Sequence, residues 1–279
     1  MNYRRTTKTI ISYVLFIACA VIWMLPLFGV IVNSFRPYTN AVGSGWWKVL
    51  SEKVVTLSNF KTMVSDSKFL MALKNSALIA IPSVFFAIIV CSMTAFGFIF
   101  GKLKHGKKLF SLICALIIIP AEITLLPNLI ILKTLNLQST YPGIWLSHVA
   151  NIIPFGVFLV GSFMLSLPND LVEAAEIDGC SKWTTYSKII FPLSLSAIGS
   201  LAIFDFLWVW NDLLRSLVII PKTSRQPLTV VLANSVGQYG ERITIQAAGA
   251  VLLMLPPLLV FLLFQKAFIN GVLTGAIKS

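Results

Sequence analysis

Acidic residues are scarce in this chain, ten among 279 positions, and four of them, Asp170, Glu173, Glu176 and Asp178, fall within nine consecutive residues. Two others, Glu122 and Asp205, interrupt long apolar stretches, where a carboxylate costs about 2.5–3.5 kcal/mol on membrane-insertion scales and is a functional candidate by default. Such a carboxylate can accept from the hydroxyls of a passing solute, or it can be satisfied by a neighbouring helix. Little else could do chemistry. His105 and His148 lie far apart with no ligand-like neighbours, and Cys19, Cys91, Cys114 and Cys180 show no pair spacing, so neither a metal nor a disulfide framework is expected. The Gly-x-x-x-x-Gly-Lys-Ser/Thr phosphate loop is missing from the sequence. No catalytic residue, cofactor or enzymatic activity is therefore expected of this chain.

The elements that must position these acids are apolar. Hydrophobic residues make up 57% of the chain and charged ones 11%, against about a quarter charged in an ordinary soluble domain. Thr9 to Phe35, Asn75 to Gly101, Thr134 to Asn169 and Ile243 to Gln265 carry no Asp, Glu, Lys or Arg. Each can cross the roughly 30 Å hydrocarbon layer, which needs about 20 helical residues. Leu109 to Leu132, broken only by Glu122, and Leu193 to about Trp210, broken only by Asp205, complete an expected six transmembrane helices in an all-α, polytopic fold. An odd count would place the termini on opposite sides. Arg4, Arg5 and Lys8 before Ala18-Cys19-Ala20 imitate a signal peptide, but the apolar run continues well past that site, so a retained anchor is expected.

The net charge of +12 is spread between the apolar spans, without a basic stripe or a nucleic-acid motif, so the partner is the membrane and not nucleic acid. With the N-terminus inside, eleven of the 22 Lys and Arg fall inside, which decides nothing. Density decides better: Gly101 to Leu109 packs Lys102, Lys104, Lys107 and Lys108 around His105, and short loops weigh most in the positive-inside rule. Both termini are assigned to the cytoplasm. Pro82, Pro120, Pro127, Pro154 and Pro256-Pro257 mark the expected spans; such breaks are either cavity-lining or plain kinks.

The acidic cluster then lies in a cytoplasmic loop, and locally it reads as a short helix. Pro168 precedes it, Asn169 or Asp170 can cap it, the acids sit towards its positive end, and Gly179 stops it. A second helical stretch is expected from Lys182 to Phe191, ending at Pro192. A helix resting on lipid is normally basic on its polar face; this one is acidic, which favours a protein partner, with Ala174 and Ala175 permitting close approach and Leu171, Val172 and Ile177 giving apolar contact.

Glu173-Ala174-Ala175, three residues, Gly179, nine residues, then Ile189-Ile190-Phe191-Pro192 resembles the EAA loop of permease subunits of bacterial ATP-binding-cassette (ABC) importers, with Phe191 where that pattern has Leu. Trp210-Asn211-Asp212, Gln238-Tyr239-Gly240, the Ala247 to Phe268 span and the tail from Asn270 to Lys278 look like the maltose-type carbohydrate permeases, and in particular their six-span subunit; Pro120-Ala121-Glu122-Ile123-Thr124 with Pro127 is similar to its third span.

The resemblance implies a type I ABC importer permease fold. It also implies a heterodimer with a second permease subunit, a separate ABC ATPase dimer that hydrolyses ATP, an extracytoplasmic solute-binding protein, and a sugar or oligosaccharide cargo, in the bacterial cell membrane. On that basis Glu173, Ala174, Ala175, Asp178, Gly179, Ile189 and Pro192 would couple to the ATPase, and Glu122, Asp205 and Asn211 are candidates for the solute path. The expected organisation is residues 1–68 as tail, first span and outer loop, 69–268 as a five-helix core containing the coupling loop 168–192, and 269–279 as a cytoplasmic tail. Two other transport readings stay open: an ion-coupled secondary transporter, which predicts inverted repeats that the halves do not show, and the same importer with a non-sugar cargo.

Overall fold

Helices carry all the regular structure in the described part of this chain. The computed structural model describes the backbone of residues 3–235 and 243–276 and the side chains of residues 9–235 and 243–265. In chain order the principal helices are α1 (Tyr3–Ser34), α2 (Ser67–Phe100), α3 (Gly106–Ala115), α4 (Leu125–Thr134), α5 (Tyr141–Met164), α6 (Asp170–Ile177), α7 (Lys182–Leu193), α8 (Leu195–Asn211), α9 (Leu214–Ile219), α10 (Leu228–Asn234) and α11 (Ile243–Ala276). Gln238-Tyr239-Gly240 and the last three residues lie outside the described residues.

Among the described residues, four helices are long and apolar enough to span a membrane: α1 over Thr9–Ser34, α2, α5, and α11 over Ile243–Gln265. The pair α7 and α8 makes a fifth if counted as one span, although it is bent by 75°. The third expected span, Leu109 to Leu132, is not one helix, and proline explains why. After α3 the chain tightens into a 3-10 turn at Leu116–Ile118 and then turns extended at Ile119, with ψ 118°. Pro120 disfavours the helical region for the residue before it and has no amide hydrogen to donate. Helix resumes only at Leu125, so Glu122 sits in a break between two short helices and not in the middle of a continuous one. Pro127 falls in the first turn of α4, where its missing donor costs nothing.

The helix expected to end at Pro192 runs one residue further, to Leu193. Tyr186–Ile190 is π-helical and leads directly into Phe191–Leu193. The wider π turn spaces the Pro192 ring from the carbonyl it would otherwise strike. The bend comes at Ser194, whose amide donates to the carbonyls of Ile190 (3.0 Å) and Phe191 (3.1 Å) before α8 begins.

The chain divides into two units. In the larger, residues 71–231 and 256–279, the core gathers Cys91 and Ala95 of α2, Val157, Val160 and Met164 of α5, Ile190 of α7 and Leu201 of α8 around Tyr186. Small residues let these helices approach closely, as membrane packing requires: a Cβ at Gly156 would lie 2.5 Å from Cys91 Sγ. Tyr186 adds a polar tie, with its hydroxyl 2.7 Å from Ser92 Oγ.

In the smaller unit, residues 1–70 and 232–255, α1 presents Phe16 and Trp23 outward, at 75% and 84% exposed, as a lipid-facing helix would. Where it ends, Arg36 is wholly buried and donates to the carbonyl of Asn40 (2.9 Å), Ser44 Oγ (2.6 Å) and Glu52 Oε2 (2.8 Å). Asn59 donates to the carbonyls of Ser34 and Arg36, both at 2.9 Å, and accepts from Thr244 Oγ1 at 3.2 Å.

Candidate functional site

The acidic segment folds as its sequence suggests, as the helix α6, but its start is held differently. Asn169 makes no side-chain cap; its carbonyl instead accepts from the amides of Val172 (2.9 Å) and Glu173 (3.1 Å). Asp170 and Glu173 in the first turn offset the positive end of the helix. The end is a Schellman motif: the amide of Gly179 donates to Glu176 O (3.0 Å) and that of Cys180 to Ala175 O (2.9 Å). Gly179 has φ +76°, a left-handed position that glycine occupies without strain. Ser181 then caps α7, its hydroxyl oxygen accepting from the amide of Thr184 at 3.1 Å.

Glu173, Ala174, Asp178 and Gly179 are exposed. Val172 and Ala175 are turned inward, at 8% and 3% exposed, and Val172 joins the core with Tyr186 and Ile190. The apolar contact and close approach expected of those two residues are therefore made within the chain. Ile189 is half-buried and Pro192 exposed. Beside the expected residues the loop presents Ile177 and Trp183, 87% and 62% exposed. Trp183 carries no motif, and only its position on a short helix outside the apolar runs could have marked it. The α6 helix is also tied back to the Gly101–Gly106 turn by an ion pair from Lys102 Nζ to Glu176 Oε2. That hydrogen bond, more than the general field of Lys102 and Lys182, holds the Glu176 carboxyl below the ordinary glutamate range.

A second site lies among α4, α5, α8, α9 and the break at Glu122. A cavity of about 360 Å³ is lined by Glu122, His148, Asn151, Asp205, Trp208 and Arg215, with Asp212 and apolar residues between them. Two of the three solute-path candidates, Glu122 and Asp205, meet here. Asn211 is not in this lining; it is exposed and its Nδ2 donates to the carbonyl of Leu207 at 2.8 Å. Asp212 accepts from the amides of Arg215 (3.3 Å) and Ser216 (2.8 Å), capping α9, and Arg215 donates to Ser147 Oγ at 2.8 Å. Asp205 Oδ2 and His148 Nε2 are different: both are buried, with no hydrogen-bond partner among the described residues. The sequence alone set His148 aside because nothing near it in the chain resembles a ligand set; its neighbours in the cavity lining come from α8 and α9, far away in sequence.

A family model described as binding-protein-dependent transport system inner membrane component matches residues 67–274. The chain is 37% identical over 272 residues to the osmoprotective compounds uptake permease protein GgtD of Synechocystis sp., covering 96% of this chain and 91% of that protein. It is 30% identical over 279 residues to the arabinooligosaccharides transport system permease protein AraQ of Halalkalibacterium halodurans, covering 99% of each. Among solved structures, a chain of a bacterial ABC transporter involved in the import of the acidic polysaccharide alginate matches with a TM-score of 0.79 over 95% of this chain and 98% of that one, at 18% identity. That likeness establishes the fold of an ABC importer permease. With the family model matching α2 to α11, and relatives matched nearly end to end, this chain belongs to the family of binding-protein-dependent transport system inner membrane components.

Proposed function

We propose that this permease imports a sugar or oligosaccharide, in a heterodimer with a second permease, and that α6 docks onto a separate ABC ATPase dimer while a solute-binding protein delivers cargo from outside. The observation that carries the coupling assignment is the exposed face of α6 on a stiff mount. Glu173, Ala174, Asp178 and Gly179 face outward while Val172 and Ala175 lock the helix to the core. Ile189 and Pro192 lie on the α7 arm that leads through the bend into α8. A rigid helix mounted this way can transmit ATPase closure to α5 and α8 as a rigid-body movement. The acidic face suits a protein groove better than an anionic lipid surface.

The docking face belongs in the cytoplasm, with both termini, in a bacterial cell membrane; the lysine-dense turn paired to α6 through Lys102 is consistent with that side. The transport core is residues 69–268, with 168–192 as its coupling loop. Sugar cargo is supported by relatives such as the arabinooligosaccharides permease, and the cavity that Glu122 and Asp205 share supports reading both as solute-path residues.

Co-purification from detergent-solubilised membranes tests this. Wild-type chain should recover a phosphate-loop ATPase and a second permease; Glu173→Lys should lose the ATPase and keep the permease. Recovery of the ATPase by both would remove α6 as the docking helix.

A further inference from the structure

The Glu122–Asp205 cavity holds polar chemistry that the protein itself leaves unused. A buried polar atom without a partner is costly, and in a native protein it calls for an explanation. Here two such atoms, Asp205 Oδ2 on α8 and His148 Nε2 on α5, belong to residues only 2% and 6% exposed that line one cavity. The volume, about 360 Å³, falls within the roughly 300–1,000 Å³ of small-molecule sites.

We infer that this chain itself provides a solute subsite in the cavity, fitted to an uncharged glycosyl unit: the Asp205 and His148 side chains turn to offer Oδ2 and Nε2, both enclosed in this structure, to its hydroxyls, and Trp208 covers its apolar face. The inference rests on the sugar-import reading and narrows its cargo. A hydroxyl both donates and accepts, so it satisfies a carboxylate and either tautomer of an imidazole. Trp208 is half-exposed, supported edge-on by Phe155 at 5.0 Å between ring centroids, and offers the flat apolar surface that a pyranose or furanose ring needs.

The charges decide which sugars fit. Three carboxyls line the cavity, those of Glu122, Asp205 and Asp212. The one cationic side chain among the described lining residues is Arg215, already engaged with Ser147 and set beside Asp212. A uronic acid would bring its carboxylate into a lining that sets three carboxyls against one guanidinium, and like charges brought together oppose binding. The subsite therefore selects neutral over acidic glycosides.

Saturation-transfer NMR on the detergent-solubilised complex recovered with this chain, without its binding protein, tests this with arabinotriose, maltotriose and digalacturonic acid as probes. Wild type should show transfer from a neutral trisaccharide and little from digalacturonic acid. Asp205→Asn should weaken the neutral signal about tenfold or more, the scale of losing a hydrogen bond to a charged group. Glu122→Lys, at an exposed position that folding tolerates, should move the preference towards digalacturonic acid, which a purely structural role for these residues would not do. Equal transfer from acidic and neutral probes in wild type, or an unaltered profile in both variants, overturns the subsite. Absence of an ATPase from the wild-type complex would instead overturn the coupling reading, and it is scored separately by mass spectrometry of the same sample.

Discussion

Lys102 and Glu176, 74 residues apart in sequence, form an ion pair that fastens the outer side of α6 to the turn after α2. Lys102 adopts φ +57° there, so the turn is shaped to present it. Exposed pairs contribute little alone, and Lys102→Ala should lower uptake by less than about threefold. Lys102→Glu should cost more, because it sets two carboxylates together. Combining Lys102→Glu with Glu176→Lys should recover most of the loss in reconstituted vesicles at neutral pH. Glu176 has its folded-state value depressed by this pair, so the contribution is complete at neutral pH and disappears as pH falls through that lowered value. A double variant no better than Lys102→Glu alone would deny the pair a positioning role.

Gly179 separates backbone strain from steric fit, because a Cβ there would meet nothing within 4 Å while φ is +76°. Only conformational preference should discriminate substitutions. A non-glycine L-residue pays about 1–2 kcal/mol for the left-handed region, a factor of roughly 5–30 in the population of the native turn. Asparagine tolerates this region better than most. Co-purified ATPase should therefore rank wild type first, then Gly179→Asn, Gly179→Ala and last Gly179→Val. Equal recovery from Asn and Val variants would mean the turn does not depend on its left-handed residue.

Much of this is legible in the sequence. The uncharged runs named four spans, and the acidic helix with its glycine stop fell where Asp170, Glu173 and Gly179 put it. Hydropathy could not show the break at Ile119–Thr124, because apolar residues flank Pro120 on both sides and look the same whether the chain is continuous or interrupted. The proline was the readable signal. The π turn before Pro192 had none, since its geometry depends on how Tyr186 and Ile190 pack against α2 and α5. The cavity was half legible: carboxylates stand out in an apolar run, whereas His148 and Arg215 gain their meaning from the tertiary meeting of α5, α8 and α9.

The α2–α5 contact should behave as a tight lock at Gly156. An added Cβ would stand 2.5 Å from Cys91 Sγ and 3.1 Å from Leu201 Cδ1, closer than packing allows. Gly156→Ala should destabilise by about 1–3 kcal/mol, the usual range for overpacking, read as a lower unfolding temperature in detergent. Removing the sulfur with Cys91→Ala should restore part of that loss in the double variant. Strictly additive losses would show that the two residues do not share the contact.

The buried Arg36 cation makes the segment after α1 in the smaller unit sensitive to acid. Its guanidinium is fully enclosed and Glu52 is the carboxylate that answers it, at 2.8 Å. The Ser44 hydroxyl, then Arg36, hold the Glu52 carboxyl below the ordinary glutamate range. A depressed folded value means that the unfolded chain takes up its proton first on acidification. The stabilisation is therefore complete above the unfolded value and lost as pH falls through the folded one. Glu52→Gln keeps the shape and some hydrogen bonds but has no charge to lose. At neutral pH wild type should unfold at the higher temperature, and the gap should narrow as pH is lowered into the carboxylate range. Glu52→Ala should be worse than Glu52→Gln throughout, because it removes both the charge and the side-chain oxygens that Arg36 and Ser44 bond to. A gap between wild type and Glu52→Gln that stays constant with pH would show that Glu52 acts by shape and not by charge.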